Sequence, residues 1–125
     1  MSELPSIAVD GFTLRCENRA SGLEVRLVGN ADMRVVTELD AVLERLAETL
    51  PKQPNAEVSF DIRELYFMNS SCFKCFVTFI VTSLDLPRPQ QYKVVFLSNP
   101  RMHWQDRSLE ALRSIGNDLV RVQTS

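Results

Sequence analysis

The apolar residues of this chain alternate between two periods, and that alternation restricts the folds open to it. Val35, Leu39, Val42, Leu43, Leu46 and Leu50 recur at the spacing of one face of an α-helix. Asp40, Glu44, Arg45 and Glu48 occupy the other faces. Pro51 stops this helix, because a proline lacks the N–H that the next turn needs and its ring clashes with the preceding one. Before the helix the period is two. Phe12, Leu14 and Cys16 alternate with Thr13 and Arg15, and Leu23, Val25 and Leu27 alternate with Glu24 and Arg26. Asn18 to Gly22 supplies turn chemistry between the two runs, so the spacing predicts a β-hairpin.

Beyond Pro54-Asn55 the period of two returns in Val58, Phe60 and Ile62, and Leu65, Phe67 and Met68 follow with a pattern of their own. Ser71 to Leu84 is helical in spacing, with Phe73, Val77, Ile80 and Leu84 expected on the sheet and Pro87 and Pro89 beyond its end. Tyr92 to Leu97 is a β-branched apolar run that reads as a buried strand ended by Asn99-Pro100. A third helix is predicted from about Asp106 to Ile115, with Leu109 and Leu112 inward and Gly116 as its cap. Leu119 to Val122 completes the chain as a short strand. The order β-β-α-β-α-β-α-(β) predicts a single α/β domain over residues 1–125. Its mixed sheet would have four to five strands, with about three helices mainly on one face.

Charge and length narrow the function classes. Fourteen basic against sixteen acidic residues leave a net charge of -2, without the positive footprint of a nucleic-acid binder. No apolar run approaches the ~20 residues of a membrane-spanning helix, so no membrane insertion is expected. Met1 to Asp10 holds neither a basic nor an apolar leader segment, which points to the cytoplasm and to free thiols on the three cysteines.

Enzyme chemistry finds little to work with. His103 is the single histidine, expected in a loop after a strand, and Trp104 beside it reads as an anchor for the third helix. General acid–base work needs a positioned partner, and none is evident for His103. A Gly-x-Ser-x-Gly elbow, a glycine-rich phosphate loop and metal-ligand spacings are absent from the sequence, so no catalytic residue, metal or cofactor is expected. Cys72-Phe73-Lys74-Cys75 sets a CxxC pair at a helix start, where the helix dipole can lower a thiol pKa. That makes a thiol–disulfide oxidoreductase the alternative function. The preferred reading is packing or contact, because Cys72, Cys75 and Phe79 share one side of the helix and about ten residues separate the motif from the preceding strand. That stripe is expected to border a protein-binding surface.

Asn69-Ser70-Ser71 precedes the same helix. Asparagine and serine are preferred N-caps, since a side-chain oxygen accepts from an otherwise unpaired N–H of the first turn. A serine hydroxyl there also faces outward, and a phosphate on it would meet the positive end of the helix dipole.

The segment from Phe60 to Cys72, with Asp61 closing a strand, a short apolar step and then Asn69-Ser70-Ser71 opening a helix, resembles the signature of STAS domains, the anti-sigma-factor antagonist family. Gly29 and Asp32 stand where that family has a Gly and an Asp, and Pro100 and the third helix fall in the matching place. Asn-Ser-Ser and Trp104-Gln105 are similar to those of a bacterial subgroup. The resemblance implies a non-enzymatic, protein-binding regulatory module switched by phosphorylation of Ser70. The partners it implies are a HATPase-type Ser/Thr kinase that is also an anti-sigma factor, and a PP2C-type phosphatase. It implies a contact surface at Asp32, Asn69, Ser70, Ser71 and Cys72, to which Phe79 is added from the helix stripe. A STAS subunit of an ABC lipid-transport system is a further alternative. The chain departs from the pattern at two points, with Asn69 in place of the Asp and Cys72 in place of the usual Gly.

Overall fold

A computed structural model describes residues 4–124; the first three residues of the leader reading on Met1–Asp10 lie outside them. One sheet holds six strands: β1 (Ser6–Val9), β2 (Phe12–Arg19), β3 (Gly22–Ala31), β4 (Glu57–Met68), β5 (Lys93–Ser98) and β6 (Val120–Thr124). Their spatial order is their chain order. β1, β2 and β3 pair antiparallel, and β3 through β6 pair parallel. The parallel strands are joined through α1 (Val36–Thr49), α2 (Ser70–Leu84) and α3 (His103–Gly116). Crossovers between parallel strands share one hand, so three in succession across the sheet set their helices on one face. There α2 packs between α1 and α3.

The core lies between that helical layer and the inner face of the sheet, with Leu14, Leu27, Val58, Phe60 and Phe96 buried. Phe60 meets Phe76 and Phe79 edge-on at centroid distances of 5.1 and 5.6 Å and stacks on Phe96 at 5.5 Å. Ser83 ties α2 to the start of β5: its hydroxyl donates to the Tyr92 carbonyl at 2.8 Å and accepts from the Tyr92 N–H at 2.9 Å. The Tyr92 hydroxyl donates to the Phe79 carbonyl. On the outer face, charges neutralise one another. Arg63 pairs with Asp61 at 2.8 Å, Arg19 with Glu24 at 3.2 Å, and Arg26 with Glu64.

The helix at Val35–Leu50 forms as its spacing requires, with a 3-10 turn at Met33–Val35 before α1 and another at Leu50–Lys52, carrying Pro51, after it. Four other expectations are corrected. The sheet gains β1, a four-residue edge strand with only Ile7 fully buried, too short for a period to show. Its signal was Asp10-Gly11, a hairpin dipeptide in which Gly11 takes φ +81. The sheet-facing stripe of α2 is Cys72, Cys75, Phe76, Phe79, Ile80 and Ser83, rotated from the expected one, while Phe73, Val77 and Leu84 are only partly buried on its flanks. α3 begins at His103, so His103 and Trp104 lie in its first turn. Trp104 does pack against the core, as an anchor would. Gly116 ends the helix in ordinary helical geometry at φ -86, and Asn117 takes the left-handed position at φ +52. A side chain at Gly116 would collide with Val120, whose Cγ2 lies 2.1 Å from the position of a Cβ.

The fourth correction concerns β4, which runs to Met68 and leaves only Asn69 before α2. No ten-residue spacer exists. The period of two failed there because β4 carries two extra residues relative to β3. Arg26 faces Asp61 but Val28 faces Glu64, and Gly29 faces Leu65 but Asn30 faces Phe67. Each bulge shifts the inward phase by one residue, which is how Ile62 and Leu65 can both be buried.

Gly29 holds the end of β3 against the β1–β2 turn. Its φ is +105, a Cβ would sit 2.1 Å from the Gly11 carbonyl oxygen, and the next residue, Asn30, donates its N–H to that oxygen at 2.9 Å. Gly29→Ala is therefore expected to lower stability by about 2–3 kcal/mol in urea unfolding, from backbone strain and displacement of the turn.

Candidate functional site

Parallel pairing of β3 and β4 persists to Ala31–Met68, so the two strands end side by side and their following turns meet. The Asn69 N–H donates to the Ala31 carbonyl at 2.9 Å, continuing the ladder one step beyond the strands. Asn69 then caps α2, its Oδ1 accepting from the Cys72 N–H at 2.8 Å. In the neighbouring turn Asp32 accepts from the Arg34 N–H at 3.0 Å and from its guanidinium at 2.9 Å. The guanidinium of Arg34 holds the Asp32 carboxyl below the usual carboxylate range. Asp32, Asn69, Ser70, Ser71 and Cys72 are thus brought together at the carboxyl ends of the central strands, where ligands meet open parallel sheets.

Capping falls to Asn69, which leaves Ser70 free of that task. Ser70 is the first residue of α2, it is exposed, and its hydroxyl makes no hydrogen bond among the described residues. Ser71 is half-buried and its carbonyl accepts from the Cys75 thiol at 3.4 Å.

Two residues expected on the contact surface are elsewhere. Cys72 is fully buried beneath the turn, its Sγ 3.7 Å from the Asp32 carbonyl oxygen. Phe79 is 2% exposed and lies among Phe60 and Tyr92. Both belong to the core because the helix presents its 72/75/79 stripe to the sheet. The same burial works against a reactive thiol. The Cys72 thiol is pushed up to about 11, first by loss of water and then by Cys75 and Asp32, and Cys75 is raised as well, also first by burial. A reactive thiol needs the opposite shift.

The structure adds three residues that sequence reasoning left out. Met33, Tyr66 and Phe67 are 68%, 57% and 48% exposed; Met33 lies in the turn after β3, and Tyr66 and Phe67 in the last residues of β4, which lead into Ser70. Tyr66 is the extra residue of the second bulge, and that bulge lets two consecutive large side chains reach the surface. Adjacent aromatics breaking an otherwise alternating strand were the available signal.

The mixed sheet with its one-sided helical layer matches the STAS-like fold of an anti-sigma factor antagonist. The chain is similar in structure to an anti-sigma factor antagonist from Mycobacterium paratuberculosis, with a TM-score of 0.63 over 91% of this chain and 88% of that one, at 16% sequence identity. No protein-family model matches the sequence, and no curated protein sequence matches it.

Two measurements check these placements. Raising a thiol from 9.0 to about 11 cuts its thiolate fraction at pH 8 by about 100-fold, so Cys72 should react with a thiol reagent at least that much more slowly in the native protein than after unfolding. Phe79→Ala should cost about 3–5 kcal/mol in denaturant unfolding, as loss of a buried aromatic does.

Proposed function

We propose that this chain is a non-enzymatic, cytoplasmic regulatory module that binds a protein partner through the turn and strand ends around Ser70, with phosphorylation of Ser70 as the switch. The observation that carries the reading is that Met33, Tyr66, Phe67 and Ser70 are all exposed and all lie at or just past the paired ends of β3 and β4. Aromatic side chains left in water next to one another are unusual unless something covers them, and Tyr is among the residues on which interfaces concentrate binding energy. Elsewhere on the outer face of the sheet Arg19, Arg26 and Arg63 pair with Glu24, Glu64 and Asp61. The likeness to an anti-sigma factor antagonist supports the same reading. The resemblance of the Asn69-Ser70-Ser71 turn to the STAS signature suggests as partners a HATPase-type Ser/Thr kinase acting as anti-sigma factor and a PP2C-type phosphatase.

The switch follows from charge. A phosphate adds about -1.5 to -2 to a domain of net charge -2 and concentrates it at one point. Within the free domain the N-terminus of α2 favours an anion by roughly 0.3–1 kcal/mol. Against a partner's apolar surface the same charge would lose its water without a counter-charge, which costs far more. Asn69 and Cys72 fit this scheme in place of Asp and Gly. Asn69 supplies the cap without adding a second negative charge beside the phosphate, and Cys72 points inward, clear of an approaching partner.

Ser70→Asp should fold with stability within about 1 kcal/mol of the wild type yet fail to retain its partner in affinity capture from the native host, whereas Ser70→Ala should retain it. Tyr66→Ala should lose the partner without loss of fold. Recovery of the same partner in equal amount by all three would show that the Ser70 turn is no docking surface.

A further inference from the structure

β4 outruns its neighbour on one side. Its pairing with β5 ends at Asp61–Leu97, whereas its pairing with β3 goes on to Met68. The segment 62–68, which bears Tyr66 and Phe67 and leads into Ser70, therefore has a strand on one edge only. Unpaired backbone groups on such an edge would leave the overhang able to twist and fray.

The missing strand is replaced by two side chains. Gln105, in the first turn of α3 and 0% exposed, donates its amide to the Ile62 carbonyl at 2.7 Å and the Leu65 carbonyl at 3.1 Å, and accepts from the Asn99 N–H at 2.9 Å. Asn99, just past β5, donates its own amide to the Arg63 carbonyl at 3.1 Å and accepts from the Arg101 N–H at 3.0 Å. Three carbonyls of the overhang are thus satisfied from the β5–α3 connection. Ile62, Arg63 and Leu65 do not share one edge in a regular strand; the bulge opposite Leu27 is what turns them the same way.

From this geometry we propose that Gln105 is the positioning residue of the recognition segment, acting through the β4 backbone to hold Tyr66, Phe67 and Ser70 in the arrangement a partner meets. A buried glutamine suits the task because it offers two donors and an acceptor in one rigid plane, and only this combination serves two carbonyls and an N–H at once. Gln105→Glu keeps the shape and the acceptor but puts a carboxylate oxygen where the amide nitrogen donated to both carbonyls. Gln105→Met keeps the length and offers nothing to either carbonyl or to Asn99. In both variants the overhang loses its second edge while the hairpin and α1, far from Gln105, keep theirs. The inference rests on the docking surface proposed above.

Hydrogen exchange resolved along the chain tests it. In Gln105→Glu and Gln105→Met, amides of residues 64–69 should exchange about 10-fold faster or more, while those of β2 and α1 stay within about 2-fold of the wild type. Faster exchange spread evenly over the sheet, or no change at all, would overturn the positioning role. Asn99→Ala removes the side-chain bonds to the Arg63 carbonyl and the Arg101 N–H from a half-buried position, and should give a weaker effect confined to the same segment and the 99–101 turn. It keeps the test alive if neither Gln105 variant folds. Affinity capture with the same variants separates the two ideas. A partner lost by Tyr66→Ala but kept at wild-type level by Gln105→Met overturns the positioning role. A partner kept by Tyr66→Ala overturns the docking surface instead, and the exchange result still decides what Gln105 does.

Discussion

The parallel pairing of β3 with β4 is the constraint on which the rest of the molecule depends. It joins the antiparallel half of the sheet to the parallel half, and it runs past the point where every other pairing has stopped. Because both strands end together at Ala31 and Met68, the turn holding Asp32 and the turn holding Ser70 become neighbours. A shorter pairing would leave a serine-led helix and an acidic turn with no fixed relation.

The core and the recognition surface proposed above are separated across this small molecule. Phe60, Phe76, Phe79 and Phe96 hold α2 to the sheet with paired rings, and the Ser83–Tyr92 exchange fixes the far end of that helix. The near end carries the exposed groups. α2 thus has one terminus anchored in the core and the other presented to solvent, an arrangement that lets a charge arrive at Ser70 with little cost to the fold. Placing Cys72 and Cys75 on the anchored face gives them the environment of small apolar residues, and burial pushes both thiols up.

The bulges of β4 connect the two roles. A regular strand would alternate its side chains and keep either Tyr66 or Phe67 inside. One extra residue exposes both, and another extra residue upstream turns consecutive carbonyls toward α3, where Gln105 and Asn99 accept the burden of a missing strand. Irregular backbone is tolerated here because the carbonyls of Ile62, Arg63 and Leu65 find side-chain partners.

Much of this was legible in the order of residues alone. Uninterrupted periods located the β2–β3 hairpin, α1 and the order of the elements after β1, since burial of one face imposes a period wherever an element is regular. Asn69-Ser70-Ser71 marked the start of α2, because an unpaired N–H in a first turn calls for a side-chain oxygen. Tertiary structure alone decided the rest. The phase of α2, which sent Phe79 into the core, depends on which side of an almost wholly apolar helix meets the sheet, and a helix apolar on most sides does not declare it. The length of β4 and the exposure of Tyr66 and Phe67 depend on register with β3, a relation between residues some forty positions apart. The role of Gln105 depends on carbonyls equally distant in sequence. Local pattern reports what one element must bury; only the assembled sheet settles which edges are left open and what closes them.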